Sequence, residues 1–388
     1  MTPEELAVHE GFMRRALELA ERGRWSTAPN PTVGAVLVKD GAVAAEGWHQ
    51  VCGQAHAEVN CLRDAASKGV DPRGGTLYVT LEPCNHFGKT PPCSHAVLEA
   101  GISRVVIGML DPNAKAAGGA DFLREHGVEV VSGVLEQECR DLVADFLVWQ
   151  TTRRPYVILK MASTLDGRIS TQGGSCQKIT NDASHAVVQR LREGIGRAGG
   201  AILVGGNTFA LDDPRLTART PSAQRQPLAA VLTTRLPSAS GSTILRERPA
   251  DAVFFTSAAQ AASPAAEALR NKGARVNEVK VQGVPGREGQ SVRARLSAVQ
   301  ALEMLRADEG CLYVLCEGGG KLALSLLEEG LVDELHLHLA PVILGDATAT
   351  PVFAGRSAES MADALRMRVT HTSLVEGDIH LHFRADRG

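Results

Sequence analysis

The sequence predicts two α/β domains in tandem, and three observations carry the prediction. First, 388 residues exceed one ordinary domain and suit two, each with its own core. Second, short apolar runs alternate with amphipathic stretches along the chain, as strands alternate with helices in a layered α/β fold. Third, Arg153-Arg154-Pro155 ends an apolar-periodic stretch, and proline there stops a helix. The boundary is therefore set between residues 1–150 and 151–388.

In the first domain, Phe12, Met13, Ala16, Leu17, Leu19 and Ala20 give Leu6 to Arg22 one buried helical face, with Gly23 as a C-cap. Val33 to Val38 and Ala42 to Ala45 read as strands around the turn Lys39-Asp40-Gly41. A helix opens at His56 and runs to about Lys68. Thr76 to Leu81 is a buried-type strand ending at Glu82-Pro83-Cys84. Cys93 to Ala100 reads as a helix, Arg104 to Met109 as a strand, Phe122 to His126 as a helix segment and Val128 to Val131 as a strand. This alternation predicts a three-layer α/β domain. Glu136 to Thr152 reads as one connecting helix.

In the second domain, strands are expected at Tyr156 to Lys160, Ala201 to Val204, Ala229 to Thr233, Val253 to Thr256 and Leu312 to Leu315, with a helix at Ala183 to Arg192. Glu334 to Ala340 and Asp378 to Phe383 alternate as antiparallel strands do. Gly283 to Arg295, rich in Gly, Arg and Ser, reads as a surface loop. No internal repeat is visible.

Composition excludes several classes. Apolar residues make up 44% and charged residues 22%, as in ordinary globular proteins. The formal net charge of −3, without a long Lys/Arg run, argues against a nucleic-acid partner. The acidic start Met1-Thr2-Pro3-Glu4-Glu5 resembles neither a signal nor a transit peptide. No apolar run is long enough to span a bilayer, so no membrane partner is expected. The eight scattered cysteines suit a reduced, cytoplasmic compartment.

The chemistry concentrates in the first third. His56-Ala57-Glu58 opens a helix, Pro83-Cys84 follows a strand and Cys93 starts another helix. One imidazole and two thiolates leave a fourth tetrahedral position for water, as in a catalytic Zn2+ site. Glu58, two residues after His56, is placed to carry the proton from that water to leaving ammonia. This is the H-x-E…P-C-x-x-C pattern of zinc deaminases, with eight residues between Cys84 and Cys93 in place of two. The alternatives are a structural zinc site, or ordinary core residues without metal. Cys61, Cys139, Cys311 and Cys316 sit in apolar surroundings and read as buried.

The segment Glu82-Pro83-Cys84-Asn85-His86-Phe87-Gly88-Lys89-Thr90-Pro91-Pro92-Cys93 closely resembles the loop of the riboflavin-pathway deaminases. So do Pro29-Asn30-Pro31-Thr32-Val33-Gly34, Gly47-Trp48-His49 and Asp111-Pro112-Asn113. The resemblance implies a cytidine-deaminase-like α/β/α fold. It also implies removal of the 2-amino group from a diaminopyrimidinone ribosyl 5′-phosphate, with Asn30, His49 and Lys89 on the substrate. Lys89 is a cation suited to the phosphate. Ala55 stands where the family usually has proline, and Ala120 where glycine is frequent.

Many members of that family are fused to a reductase of dihydrofolate-reductase-like fold, and the second half is similar to it. The similarity rests on Lys160-Met161-Ala162-Ser163-Thr164-Leu165-Asp166-Gly167-Arg168, on Gly205 to Thr217, and on Glu317-Gly318-Gly319-Gly320-Lys321-Leu322. A Gly-rich turn opening a helix suits a dinucleotide phosphate. The resemblance implies NADPH-dependent reduction of the ribosyl group to ribityl. It places Ser163, Lys178, Thr208, Asp212, Thr234, Gly318, Gly319, Gly320, Lys321 and Leu322 on the cofactor. Lys160, Cys176, Arg192, Leu216, Arg219 and Glu317 would hold the substrate, the arginines as phosphate partners. Lys160 and Asp212 are both candidates for the polar group near the reacting sugar. Lys178 replaces a usual tryptophan, Cys176 a frequent serine and Thr233 a frequent aspartate. A dimer or tetramer through this half is also implied.

Two other readings compete. A deaminase of nucleosides, bases or tRNA predicts Pro-Cys-x-x-Cys and, for tRNA, a basic surface with stacking aromatics; the long loop and 4% aromatic content count against it. A non-catalytic nucleotide sensor predicts loss of the glutamate or a ligand, and all four residues are present.

Overall fold

The computed structural model describes residues 2–87, 91–171, 178–284, 293–356 and 358–385. It divides into two compact units, Met1–Thr152 and Arg153–Gly388.

The first unit is built on a five-stranded sheet in the order β2-β1-β3-β4-β5. Its strands are β1 (Gly34–Lys39), β2 (Ala42–Trp48), β3 (Thr76–Leu81), β4 (Arg104–Met109) and β5 (Glu129–Ser132). β1 runs antiparallel to β2 and β3, while β3, β4 and β5 are parallel. The helices are α1 (Pro3–Glu21), α2 (Ala57–Ser67), α3 (Cys93–Glu99), α4 (Gly119–Glu125), α5 (Glu136–Leu142) and α6 (Ala144–Thr151). α1 is fixed at its start by a capping box between Thr2 and Glu5. It packs with α5 on one face of the sheet, and α2, α3 and α4 line the other, giving the three layers expected.

Two glycines set the layer spacing. A Cβ on Gly34 would lie 2.0 Å from the Ala16 carbonyl oxygen of α1. A Cβ on Gly47 would lie 2.2 Å from the Cys61 backbone nitrogen of α2. Only glycine admits helix backbone that close. The stretch 136–152 departs from expectation: it is two helices, broken at Val143 (φ −103°, ψ 19°). The break lets Cys139 pack on Gly108 of β4 while Phe146, Val148 and Trp149 are also buried.

The second unit holds a nine-stranded sheet in the order β11-β10-β9-β8-β14-β6-β15-β18-β17. Its strands are β6 (Tyr156–Thr164), β8 (Ala201–Gly205), β9 (Leu228–Leu232), β10 (Ala252–Thr256), β11 (Arg275–Glu278), β14 (Tyr313–Gly318), β15 (Glu334–Ala340), β17 (Met367–Val375) and β18 (Asp378–Ala385). Short β7 (Arg168–Ser170) pairs with β16 (Thr350–Pro351), and β12 (Val281–Val284) with β13 (Arg293–Leu296). The ends of the expected loop 283–295 are thus strand, since β12 and β13 satisfy each other's backbone groups. The sheet is parallel from β11 to β15 and antiparallel at β18 and β17.

Helices α7 (Asp182–Arg197), α8 (Gly206–Asp212), α9 (Thr243–Glu247), α10 (Ala258–Ala261), α11 (Pro264–Asn271), α12 (Ala298–Ala307) and α13 (Gly320–Glu328) connect these strands. Val157, Leu159 and Met161 of β6 join Leu335, Val314 and Cys316 in the main apolar core. Alternation sends Lys160 to the other face. Arg154 and Asp333, both buried, form a bidentate pair at 2.6 and 2.8 Å, and Asp333 also accepts the Val157 N–H. The pair ties the start of β6 to the start of β15.

Candidate zinc centre and reductase face

His56 is the N-cap of α2 in extended conformation (φ −73°, ψ 170°) and leaves its imidazole at the helix mouth. Cys84 follows the end of β3, and Cys93 is the first residue of α3, after the N-cap Pro92. His56 Nδ1 lies 3.6 Å from Cys84 Sγ and 3.3 Å from Cys93 Sγ. For a tetrahedral ion with zinc–nitrogen near 2.05 Å and zinc–sulfur near 2.3 Å, the ligand-to-ligand edge is about 3.6 Å. The three donor atoms therefore fit one zinc ion, and together they form a metal-holding group.

The electrostatics agree. Cys84 receives hydrogen bonds from the Cys93 thiol, from His56 and from the Cys93 backbone N–H, which holds its thiol well below the ordinary range. Its partner Cys93 is raised, because it is the donor and is buried. His56 is raised, first by its bond to Cys84. Glu58, in the first turn of α2, is 3% exposed, and burial pushes its carboxyl up to about 7. A carboxyl poised there can both take and give a proton at neutral pH.

These groups open into a cavity of about 510 Å³ lined by Asn30, His49, His56, Glu58 and Cys84 among others. His49 Nδ1 donates to the Ala55 carbonyl at 3.1 Å, so Nε2 accepts from Asn30 Nδ2 at 3.2 Å. That network assigns the tautomer, and burial keeps the ring neutral by lowering its pKa. Ala55 supplies its carbonyl, a role a proline at that position would serve equally.

Glu82 was not singled out by sequence. Its buried carboxylate accepts backbone N–H groups from Asp111 (3.0 Å), Gly118 (3.1 Å) and Ala120 (2.9 Å). It thereby shapes the loop whose Asp111, Asn113 and Ala116 complete the cavity wall. Phe146 and Gln150 of α6 also line it, from a stretch read as a connector. The acidic residue directly before Pro83-Cys84 was the available signal. Lys89 lies outside the described residues, as does Cys176.

In the second unit, the glycine turn, Thr208 and Thr234 all sit past the carboxyl ends of adjacent parallel strands β14, β8 and β9. That edge is where open α/β sheets take ligands. Gly318 (φ 134°) and Gly319 (φ 72°) turn the chain from β14 into α13, and a Cβ on Gly319 would lie 2.9 Å from Thr208 Oγ1. Gly320, Lys321 and Leu322 form the first turn of α13, whose N–H groups suit a phosphate. Ser163 is buried near the end of β6, on the face opposite Lys160, and its hydroxyl bonds the Thr164 carbonyl.

Asp212 ends α8, exposed, and Thr234 is exposed beyond β9. Lys178 is exposed and ion-paired with Asp182 in the first turn of α7. On the opposite face, Arg192 grips Glu317 in a bidentate pair at 2.7 and 2.5 Å and donates to the Thr217 carbonyl. Lys160 is half-buried; desolvation brings its ammonium down to about 8, opposed by Glu317 and helped by Arg192. Arg219 is lowered by burial and by Arg192. Leu216 is buried and adopts φ 49°.

Residues 6–109 match the family described as the cytidine and deoxycytidylate deaminase zinc-binding region, and residues 155–381 match the RibD C-terminal domain. Fold and site define a zinc-dependent deaminase joined to an NADPH-dependent reductase. The chain is 37% identical over 378 residues to a riboflavin biosynthesis protein RibD of Aquifex aeolicus, covering 97% of this chain and 98% of that one. It belongs to the RibD family of riboflavin biosynthesis. Among solved structures, RibD of Acinetobacter baumannii is 34% identical with a TM-score of 0.73, covering 98% of this chain and 100% of that one. A diaminohydroxyphosphoribosylaminopyrimidine deaminase/5-amino-6-(5-phosphoribosylamino)uracil reductase of Thermotoga maritima is 33% identical with a TM-score of 0.76, covering 98% and 99%. The two expected fold types, cytidine-deaminase-like and reductase, are thereby borne out.

Proposed function

We propose that residues 1–150 deaminate 2,5-diamino-6-ribosylamino-4(3H)-pyrimidinone 5′-phosphate, and that residues 151–388 then reduce its ribosyl group to ribityl, giving 5-amino-6-(5-phosphoribitylamino)uracil. The observation that carries the reading is the convergence of His56, Cys84 and Cys93 around one ion position, with buried Glu58 in the same cavity. When bound there, zinc supplies an activated water. His56, Cys84 and Cys93 would hold the ion, and Glu58 would take a proton from the attacking water and pass it to the departing amine, so that one water is consumed and one ammonia released. Asn30 and neutral His49, fixed in one tautomer, orient the pyrimidine, and Lys89 meets the phosphate.

On the reductase face, bound NADPH supplies the hydride. Thr208, Thr234, Ser163, Asp212 and the turn 318–322 hold the cofactor, with Lys178 at its rim. Arg192, Arg219, Glu317, Leu216 and Cys176 hold the sugar phosphate, and Lys160 and Asp212 are the two candidates for the polar group near the reacting sugar.

The substrate is thus a phosphorylated pyrimidine rather than a nucleic acid or a lipid surface. We place the enzyme in the cytoplasm, supported by seven described cysteines that stand as free thiols. Among the described residues no helix is long and apolar enough to cross a membrane. Homo-oligomerisation to a dimer or tetramer is supported by the exposure of most of edge strand β17. The test is a coupled assay following ammonia release and NADPH oxidation on the diaminopyrimidinone ribosyl phosphate. Glu58→Gln is expected to slow ammonia release by about 10²–10⁴-fold with zinc content unchanged. Equal ammonia release by parent and variant would remove Glu58 from the mechanism.

A further inference from the structure

At the antiparallel end of the large sheet, on the face that also carries Lys160, lies a block of histidines. β15 presents Glu334, His336 and His338 at alternate positions, so all three leave one face. β18 runs beside it with His382 opposite His336 and His380 opposite His338. The paired rings stack face to face, at 3.8 Å and 3° for the first pair and 3.6 Å and 5° for the second.

An imidazole nitrogen of His336, one of His382 and a carboxylate oxygen of Glu334 all lie within 4.8 Å of one another. To meet on one ion the two stacked rings tilt apart, so that their in-plane lone pairs converge beside the carboxylate oxygen. Two imidazoles and a carboxylate are a donor set that first-row divalent cations accept. Next to this group, His338 is 1% exposed, and neither of its ring nitrogens has a hydrogen-bond partner among the described residues.

The donor types select the ion. Glu334 Oε2 accepts the Tyr156 hydroxyl at 3.0 Å and faces Arg384 at 3.5 Å, while Oε1 points to His336 at 2.5 Å. Lys160 lies across from His336 in the β6 register. With two imidazole nitrogens against one carboxylate oxygen, an imidazole-seeking ion is favoured over a hard oxygen-seeking one.

We propose that Glu334, His336 and His382 form a second metal site, distinct from the thiolate centre, that takes Zn2+ or a similar first-row dication and staples β15 to β18. The proposal does not depend on the deaminase assignment. The full chain carrying one equivalent of Zn2+ is titrated with Co2+, followed by its visible ligand-field bands, and metal content is measured after dialysis against Zn2+. A second equivalent is expected, without the near-ultraviolet band of thiolate ligation. It should persist in Cys84→Ser/Cys93→Ser and be lost in His336→Ala/His382→Ala. Affinity should fall on the order of 100-fold or more, since even an outer partner of a metal ligand is worth about 10–100-fold. Glu334→Gln keeps the side-chain shape and an acceptor for Tyr156, and it decides the matter if the histidine variant fails to fold. A parent that binds one equivalent only, a thiolate spectrum for the second ion, or a second equivalent that survives Glu334→Gln overturns the proposal.

Discussion

Glu82 is neither a candidate zinc ligand nor a candidate proton carrier, yet its replacement should damage deamination selectively. Its carboxylate gathers three backbone N–H groups, two on Oε1 and one on Oε2. Glu82→Gln keeps the volume but puts an amide NH2 where one acceptor was. A donor then faces a donor, at Asp111 if the oxygen keeps Gly118 and Ala120, and the surviving bonds lose charge assistance. One lost hydrogen bond to a charged group costs about 1.5–3 kcal/mol. For a domain of this size that corresponds to a Tm lowered by about 3–12 °C. If about 1.4 kcal/mol of the cost falls on the placement of the cavity wall at Asp111 and Asn113, kcat/KM for ammonia release drops about tenfold. NADPH oxidation by the same chain, supplied with the deaminated intermediate, is the internal control and should be unchanged. An unaltered Tm with unaltered deamination would refute the argument. Equal losses in both activities would refute it too, because they would mean global unfolding rather than a loosened loop.

Further outcomes follow from other contacts. Gly47→Ala drives a methyl group into the backbone of α2, with the Ala57 carbonyl oxygen 2.5 Å away; overpacking of this kind costs about 1–3 kcal/mol. It should weaken zinc retention, read as faster metal loss to a chelator, because α2 carries both His56 and Glu58. Lys160 gives a pH test. Its folded pKa, about 8, lies below the ordinary 10.5, so between these values the unfolded chain holds more protons and stability rises with pH. Lys160→Met should therefore raise the urea midpoint of the reductase half at pH 7, and the gain should shrink towards pH 10. A gain that stays constant across that window would assign the effect to packing. In the same variant, NADPH oxidation should fall at pH 7, where the parent's ammonium is charged.

Much of the molecule was legible because its signals are local. β3, β4 and β15 fall at the predicted residues, since apolar runs bounded by turns fix strand limits on their own. The three candidate zinc ligands, which the fold brings together, were legible for a similar reason: each sits at the mouth or end of an element, where a sharp change of pattern marks it. What escaped depends on tertiary context. The break at Val143 has no proline or glycine to announce it; it arises because Cys139 and Phe146 must both be buried. β17 was missed because most of its residues are exposed and it lacks a clear apolar alternation. The turn joining it to β18 uses Glu376 and Gly377, both at positive φ (48° and 95°), where Asn-Gly would have been the readable signal. Glu82 reads as part of a ligand motif, and nothing in its neighbourhood reveals three amides some thirty residues away. The histidine block was visible as two His-x-His doublets, yet only the β15–β18 register brings them together.

The five-stranded and nine-stranded sheets share no strand, and this has a genetic consequence. A lesion that ruins the core of one sheet removes no hydrogen bond from the ladder of the other. Two alleles broken in different halves can therefore complement each other in one cell, each chain contributing the reaction the other has lost. Growth without riboflavin would return even though neither gene encodes a complete enzyme, and lesions would sort into two complementation groups divided between residues 152 and 153.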